Sequence, residues 1–167
     1  MGVALTLEIT DRGFDAVVAA MARLADPADQ FELMDSIGRL VQEQTRHRIS
    51  AEKTGPDGTA WAPNQRGTSI LYASHRLAES IDYIANLDEI KVGSPLNYAR
   101  IHQTGGKISA KSAKSLRFFA GANNQPIYVK SVTIPARPYL GLSTENIADI
   151  EDAVAEFTSA VFEGAGE

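Results

Sequence analysis

The chain contains no cysteine. Disulfide scaffolds, thiolate-bound zinc, iron–sulfur clusters and thiol catalysis are therefore excluded. Histidine is scarce as well: only His47, His75 and His102 occur. No two of them share the i, i+4 spacing that sets a pair of ligands on one helix face, and no H-E-x-x-H is present. The expectation is a protein without metal or other cofactor. No stretch approaches the roughly 18–20 apolar residues needed to span a bilayer. The opening residues Met1 to Glu8 lack the basic region of a secretory signal. Both features predict a protein made and kept on the cytoplasmic side, with no membrane partner.

What is present is ordinary in bulk. The 167 residues are 44% hydrophobic and 22% charged, which predicts one globular domain with an adequate core. A net charge of −5 argues against a general nucleic-acid binder. Its distribution is less ordinary. Residues 1–90 carry 8 bases and 14 acids, residues 91–144 carry 8 bases and no acid, and residues 145–167 carry 7 acids and no base. Such segregation suits oriented contact between unlike surfaces, through self-assembly or a charged partner. It equally suits a basic loop folded against an acidic helix.

Alternation of Val3, Leu5, Leu7 and Ile9 predicts a strand ended by Asp11-Arg12-Gly13. Phe14, Val17, Val18, Met21 and Leu24 predict a helix that stops at Asp26-Pro27. The longest helix is expected over 28–49, with Phe31, Met34, Ile37, Val41 and Ile49 inward and Arg39, Glu43, Arg46 and Arg48 outward. Thr54 to Thr59 is a turn cluster. A short helix around Ser74–Asp82 follows, with Leu77 and Ile81 inward, then paired strands Tyr83–Leu87 and Glu89–Gly93. A further short helix over Pro95–Thr104 carries Tyr98, Ile101 and His102 and ends at Gly105-Gly106. Residues 107–126 read as one long, flexible loop. Tyr128–Ile134 reads as a strand, broken by Pro135-Ala136-Arg137-Pro138. Ser143 is expected to cap a last helix to about Phe162, with Ile147, Ile150, Val154, Phe157 and Val161 inward. The fold class is α+β: a short antiparallel sheet packed by long N-terminal and C-terminal helices.

No arrangement matches a nucleophile elbow, a phosphate-binding P-loop or a dinucleotide fingerprint, so a non-enzyme is expected. Trp61 reads either as an anchor pinning an irregular loop or as an interface residue. His102 lies one helical turn after Tyr98, and the simplest expectation packs its ring on Tyr98 and bonds it to backbone near Gly105. Lys107, Lys111, Lys114 and Arg117 beside Phe118-Phe119 form a basic-aromatic stretch. It could contact nucleic acid, order against a protein or remain solvated.

Four segments in order then resemble one family. Gly58-Thr59-Ala60-Trp61-Ala62-Pro63 resembles its "G-x-x-W-x-P" loop, and Ile70-Leu71 with Leu77, Ser80 and Ile81 resembles its "I-L … L-x-x-S-I" stretch. Val92-Gly93-Ser94 followed by Tyr98-Ala99-Arg100-Ile101-His102-Gln103-Thr104-Gly105-Gly106 is similar to "V-G-S/T … Y-A-x-I-H-Q-x-G-G". Ile134-Pro135-Ala136-Arg137-Pro138-Tyr139-Leu140-Gly141 resembles "I-P-A-R-P-F-L-G". The family is that of phage virion morphogenesis or tail-completion proteins, the Mu-like protein G and P2-like protein S group. The resemblance runs from about residue 30 to 160. One departure is Ala73-Ser74-His75-Arg76, where the family often has Thr-Gly; with histidine in that place, no left-handed turn is required at His75.

The resemblance implies a tail-terminator-like or neck-protein-like structural role at the head–tail joint, in the virion after assembly in the host cytoplasm. It implies a homo-oligomer, often a hexameric ring, that meets the tail tube protein and the head connector or stopper proteins. Genomic DNA passes through the lumen without specific contact. Trp61, Tyr98, His102, Gly105, Gly106, Arg137 and Pro138 would be the structural motif. Lys107, Lys111, Lys114 and Arg117 are candidates for assembly or DNA-channel contact, and a DNA-contacting morphogenesis factor using the 107–117 arm is the alternative.

Overall fold

A computed structural model describes residues 20, 22, 24, 26–64, 67, 69–111, 113–120 and 125–164. The strand expected over residues 3–9 and most of the first helix lie outside these residues; Ala20 and Leu24, from the expected helix, are buried.

Helix α1 spans Pro27–His47. Asp26 caps it, its carboxylate accepting from the Ala28 N–H at 2.8 Å, and Pro27 occupies a first-turn position where a missing N–H costs nothing. Its inward stripe is Leu33, Met34, Ile37 and Val41, continued by Ile49. Phe31 is a correction: it is 48% exposed. At 100° per residue it lies roughly a quarter-turn off the centre of that stripe, and Leu33 takes the inward position instead. Arg48, expected outside, is the second correction: its side chain is 1% exposed. The chain there leaves the α-helical path for a π-helical turn, Arg48–Glu52, closed by Lys53 in the left-handed region at φ 61°.

Helix α2, Arg76–Glu79, is shorter than expected, but Leu77 and Ile81 are buried as anticipated. His75, just ahead of it, adopts φ 59°, so a left-handed turn is made here even without glycine. The imidazole stacks on Tyr72 with ring centroids 4.2 Å apart, a contact glycine could not supply in return for easier backbone geometry. Strands β1, Asp82–Ala85, and β2, Ile90–Gly93, pair antiparallel with Tyr83 opposite Val92, and this ribbon lies on α1.

Helix α3 covers Ala99–Thr104. Beyond it the expected loop is corrected. β3, Gly106–Ser109, pairs with β6, Ser131–Ile134, and β4, Leu116–Ala120, pairs with β5, Gln125–Val129. The single strand expected over Tyr128–Ile134 is thus two, meeting at Lys130. The ladder reaches the corner through the Ala110 N–H donating to the Lys130 carbonyl at 3.0 Å. Opposite that corner, residues 111 and 113–115 belong to neither β3 nor β4, and the two ribbons together form an arm. Helix α4, Thr144–Gly164, closes the fold against α1. Ser143 and Asn146 cap it reciprocally: Asn146 N–H donates to Ser143 Oγ at 3.1 Å and Ser143 N–H to Asn146 Oδ1 at 3.3 Å. The same box thus forms with Asn in place of the usual Glu or Gln. Ile150 and Val154 are buried, with Phe157 and Val161 partly so. The architecture is α+β, with three two-stranded antiparallel ribbons among the described residues.

Candidate functional site

The motif residues converge on one segment, Pro135–Gly141, which leaves β6 and leads toward α4. Prolines on both sides restrict Arg137 and leave few backbone donors, so side chains from elsewhere hold the segment. Trp61, 6% exposed, donates its indole N–H to the Pro138 carbonyl at 3.0 Å. Arg137 returns the contact, its Nε reaching the Ala62 carbonyl at 2.9 Å and Nη2 the Pro63 carbonyl at 3.3 Å. The tryptophan loop and the Ala-Arg-Pro segment are therefore clasped reciprocally, and Trp61 is a buried anchor.

Two side chains that the sequence pattern does not single out complete the clasp. Gln103 on α3 accepts from the Tyr139 and Leu140 N–H groups at 2.9 and 3.0 Å and donates to the Leu140 carbonyl at 3.2 Å. Arg48 donates to the carbonyls of Tyr139 and Gly141 at 3.1 and 2.7 Å, and to Asn146 Oδ1. Glu52, 3.7 Å from Arg48 Nε, offsets some of the buried charge. Burial lowers the guanidinium's affinity for its proton, and Glu52 raises it, yet an arginine stays charged throughout the ordinary range. Tyr139 is fully buried and donates its hydroxyl to the Ala99 carbonyl at 3.1 Å. Glycines allow the approach. A β-carbon on Gly105, at φ 67°, would lie 2.7 Å from the Ala136 nitrogen, and one on Gly141, at φ 137°, 2.6 Å from Pro56 Cγ.

His102 meets Tyr98 edge-to-face at 5.9 Å, as expected, and its carbonyl accepts from the Arg137 N–H at 2.7 Å. At Nδ1 the expected ring bond to backbone near Gly105 is corrected: this atom is buried without a partner among the described residues. Burial first, and the Arg137 charge second, push this imidazole below its ordinary range. The folded chain thus resists a proton that the unfolded chain accepts near pH 6.5. Stability from this source is complete above that pH and is lost as pH falls below it. Urea unfolding at pH 7.5 and 5.5 should show a larger acid loss for the natural chain than for His102→Gln; equal losses would refute the assignment.

Beside His102 lies an open groove of about 680 Å³, with Leu71, Leu77, Ile108 and Phe118 among the residues that line it. It brings Tyr98, His102 and Arg137 together with Arg117 of the arm, whose guanidinium lies 5.1 Å from the centre of the Phe119 ring. Lys107, Lys111 and Lys114 sit elsewhere on the arm, exposed. Among the described residues, no ion pair joins the arm's cations to any carboxylate. Nor, among those residues, does any group of three or more histidines and carboxylates stand ready for a metal ion. No helix there is long and apolar enough to cross a membrane.

Comparison with known proteins agrees with the motif order. No solved structure matches the chain. The Mu-like prophage FluMu G protein 2 of Haemophilus influenzae is 28% identical over 152 residues, covering 90% of this chain and 95% of that protein. The model of the phage virion morphogenesis family matches residues 9–158. The clasped segments, Trp61-Ala62-Pro63 with Arg137-Pro138 and the helix from Tyr98 to Gly105, fall within that match, and the chain belongs to the phage virion morphogenesis family.

Proposed function

We propose that this chain is a structural, non-catalytic protein of the head–tail joint, completing or terminating the tail tube as a ring of about six copies around the DNA channel. The observation that carries the reading is the arm. Lys107, Lys111, Lys114, Arg117 and Lys130 project without carboxylate partners among the described residues, while α4 exposes Glu145, Asp149, Glu151, Asp152, Glu156 and Glu163 in the same chain. Unlike surfaces left unpaired within a chain favour heterologous contact between copies, and a heterologous contact closes into a ring when its rotation permits. The tail tube protein and the head connector or stopper proteins are the further partners on this reading, and DNA passes without specific contact.

Reversal of Lys107, Lys111 and Lys114 to glutamate should leave the melting temperature within about 6 °C, since three exposed substitutions at no more than about 0.5 kcal/mol each sum to about 1.5 kcal/mol. It should abolish self-association measured by light scattering and incorporation of a tagged chain at the neck of particles. Normal incorporation by the triple variant would overturn the arm's role. If the arm instead grips DNA, the natural chain will bind duplex DNA with a steep salt dependence that the triple variant loses.

A further inference from the structure

We infer that the groove beside His102 receives the C-terminal end of α4 from a second copy of this chain, with the Phe162 ring as apolar anchor. The inference rests on the reading above, in which copies join through unlike surfaces, and it assigns where they join.

Three observations meet here. The groove is a trough with apolar walls, Leu71, Leu77, Ile108 and Phe118 among them, and with Arg117 at its side. Phe162 is 53% exposed near the end of α4, although Val154 and Phe157 on the same helix turn inward. It neighbours Glu163 in a segment, 145–167, that carries 7 acids and no base. An aromatic ring with a carboxylate beside it complements an apolar trough with a guanidinium beside it, in shape class and in charge. Phe162 is already about half covered, so burying the rest of the ring removes only about half of the roughly 150–250 Å² of a whole aromatic side chain, too little for a stable contact alone, and the lysines of the arm lying along the acidic face of α4 would supply the remainder. No residue of α4 lines the groove of its own chain. An α4 end seated there therefore comes from a neighbour, and each copy offers one groove and one helix end. That is the head-to-tail rule from which rings and filaments are built.

The absence of cysteine makes the contact directly testable in the full chain. Ser74→Cys places one thiol on the groove wall and Glu163→Cys one beside the anchor, both at exposed positions. Mixed and mildly oxidised, the two single variants should form the unlike crosslink at least fivefold in excess of either like pair. The doubly substituted chain should give a ladder of covalent oligomers. Separately, Phe162→Glu should preserve the melting temperature and reduce the solution mass to that of the monomer. Unlike and like crosslinks in statistical proportion, an unchanged mass for Phe162→Glu, or a natural chain that stays monomeric at every concentration would each overturn the inference. If assembly survives Phe162→Glu but is lost on reversing the three lysines, the groove assignment falls and the ring reading stands. Absence of the tagged natural chain from the particle neck removes the ring reading instead, whatever the crosslinks show.

Discussion

Arg48→Met should destabilise the fold by about 3–5 kcal/mol, the range for removing one partner from a buried charged network. Methionine keeps most of the stem's volume, so the loss reports polar contacts rather than a cavity. The carbonyls of Tyr139 and Gly141 lose their guanidinium donor while buried beside it, at about 1–3 kcal/mol each. Asn146 loses a partner that helps orient it in the cap of α4. Arg48→Lys should recover little, because one ammonium cannot reproduce a planar fork that reaches three acceptors. Urea unfolding curves compared at constant m-value read the effect; a loss below about 1 kcal/mol for the methionine variant would show that the network is not what holds the segment.

Trp61→Ala is expected to cost a similar 3–5 kcal/mol, lowering the melting temperature by roughly 6–20 °C for a chain of this size. Here the mechanism is different. The indole is 6% exposed, so its removal leaves a cavity under an irregular loop and strips the Pro138 carbonyl of its donor. Trp61→Phe separates these effects: it restores most of the apolar volume and leaves only the lost hydrogen bond, about 1–3 kcal/mol. Assembly by Trp61→Ala should fail in proportion to the unfolded fraction and recover on cooling. A variant that melts like the natural chain yet does not assemble would place Trp61 at an interface after all.

What the sequence makes legible follows from how local each signal is. The ribbon β1–β2, Leu77 and Ile81 as inward residues, and the reach of α4 all rest on periodicity or turn chemistry within a few residues. β3 and β4 do not. Their strand character comes from pairing with residues 5–28 positions onward, and β3 is exposed along its whole length. It therefore shows no alternation, while its Lys, Ser and Ala neighbours favour no strand by themselves. Arg48 escapes for another reason. Its helical phase sets it on the face of Ile37 and Val41, but an arginine argues for solvent more strongly than phase argues for the core. Its acceptors, the Tyr139 and Gly141 carbonyls and Asn146 Oδ1, lie more than 90 residues away. The site divides the same way. Trp61 and Arg137 stand out by rarity and by flanking prolines. Gln103 stands inside the same motif as His102 and carries three of the clasp's hydrogen bonds, yet an amide on a short helix has no signature until its acceptors and donors are in place.

The junction between arm and body has a mechanical meaning. β6 runs directly into the segment that Trp61, Gln103, Arg48 and Arg137 hold from different sides. A pull along the arm reaches those bonds together, as a parallel load, whereas β4 and β5 can unzip rung by rung. Under tension the far end of the arm should therefore open first and absorb strain, while its root keeps its direction. A chain built this way can bend along its arm without losing the direction of the arm's root.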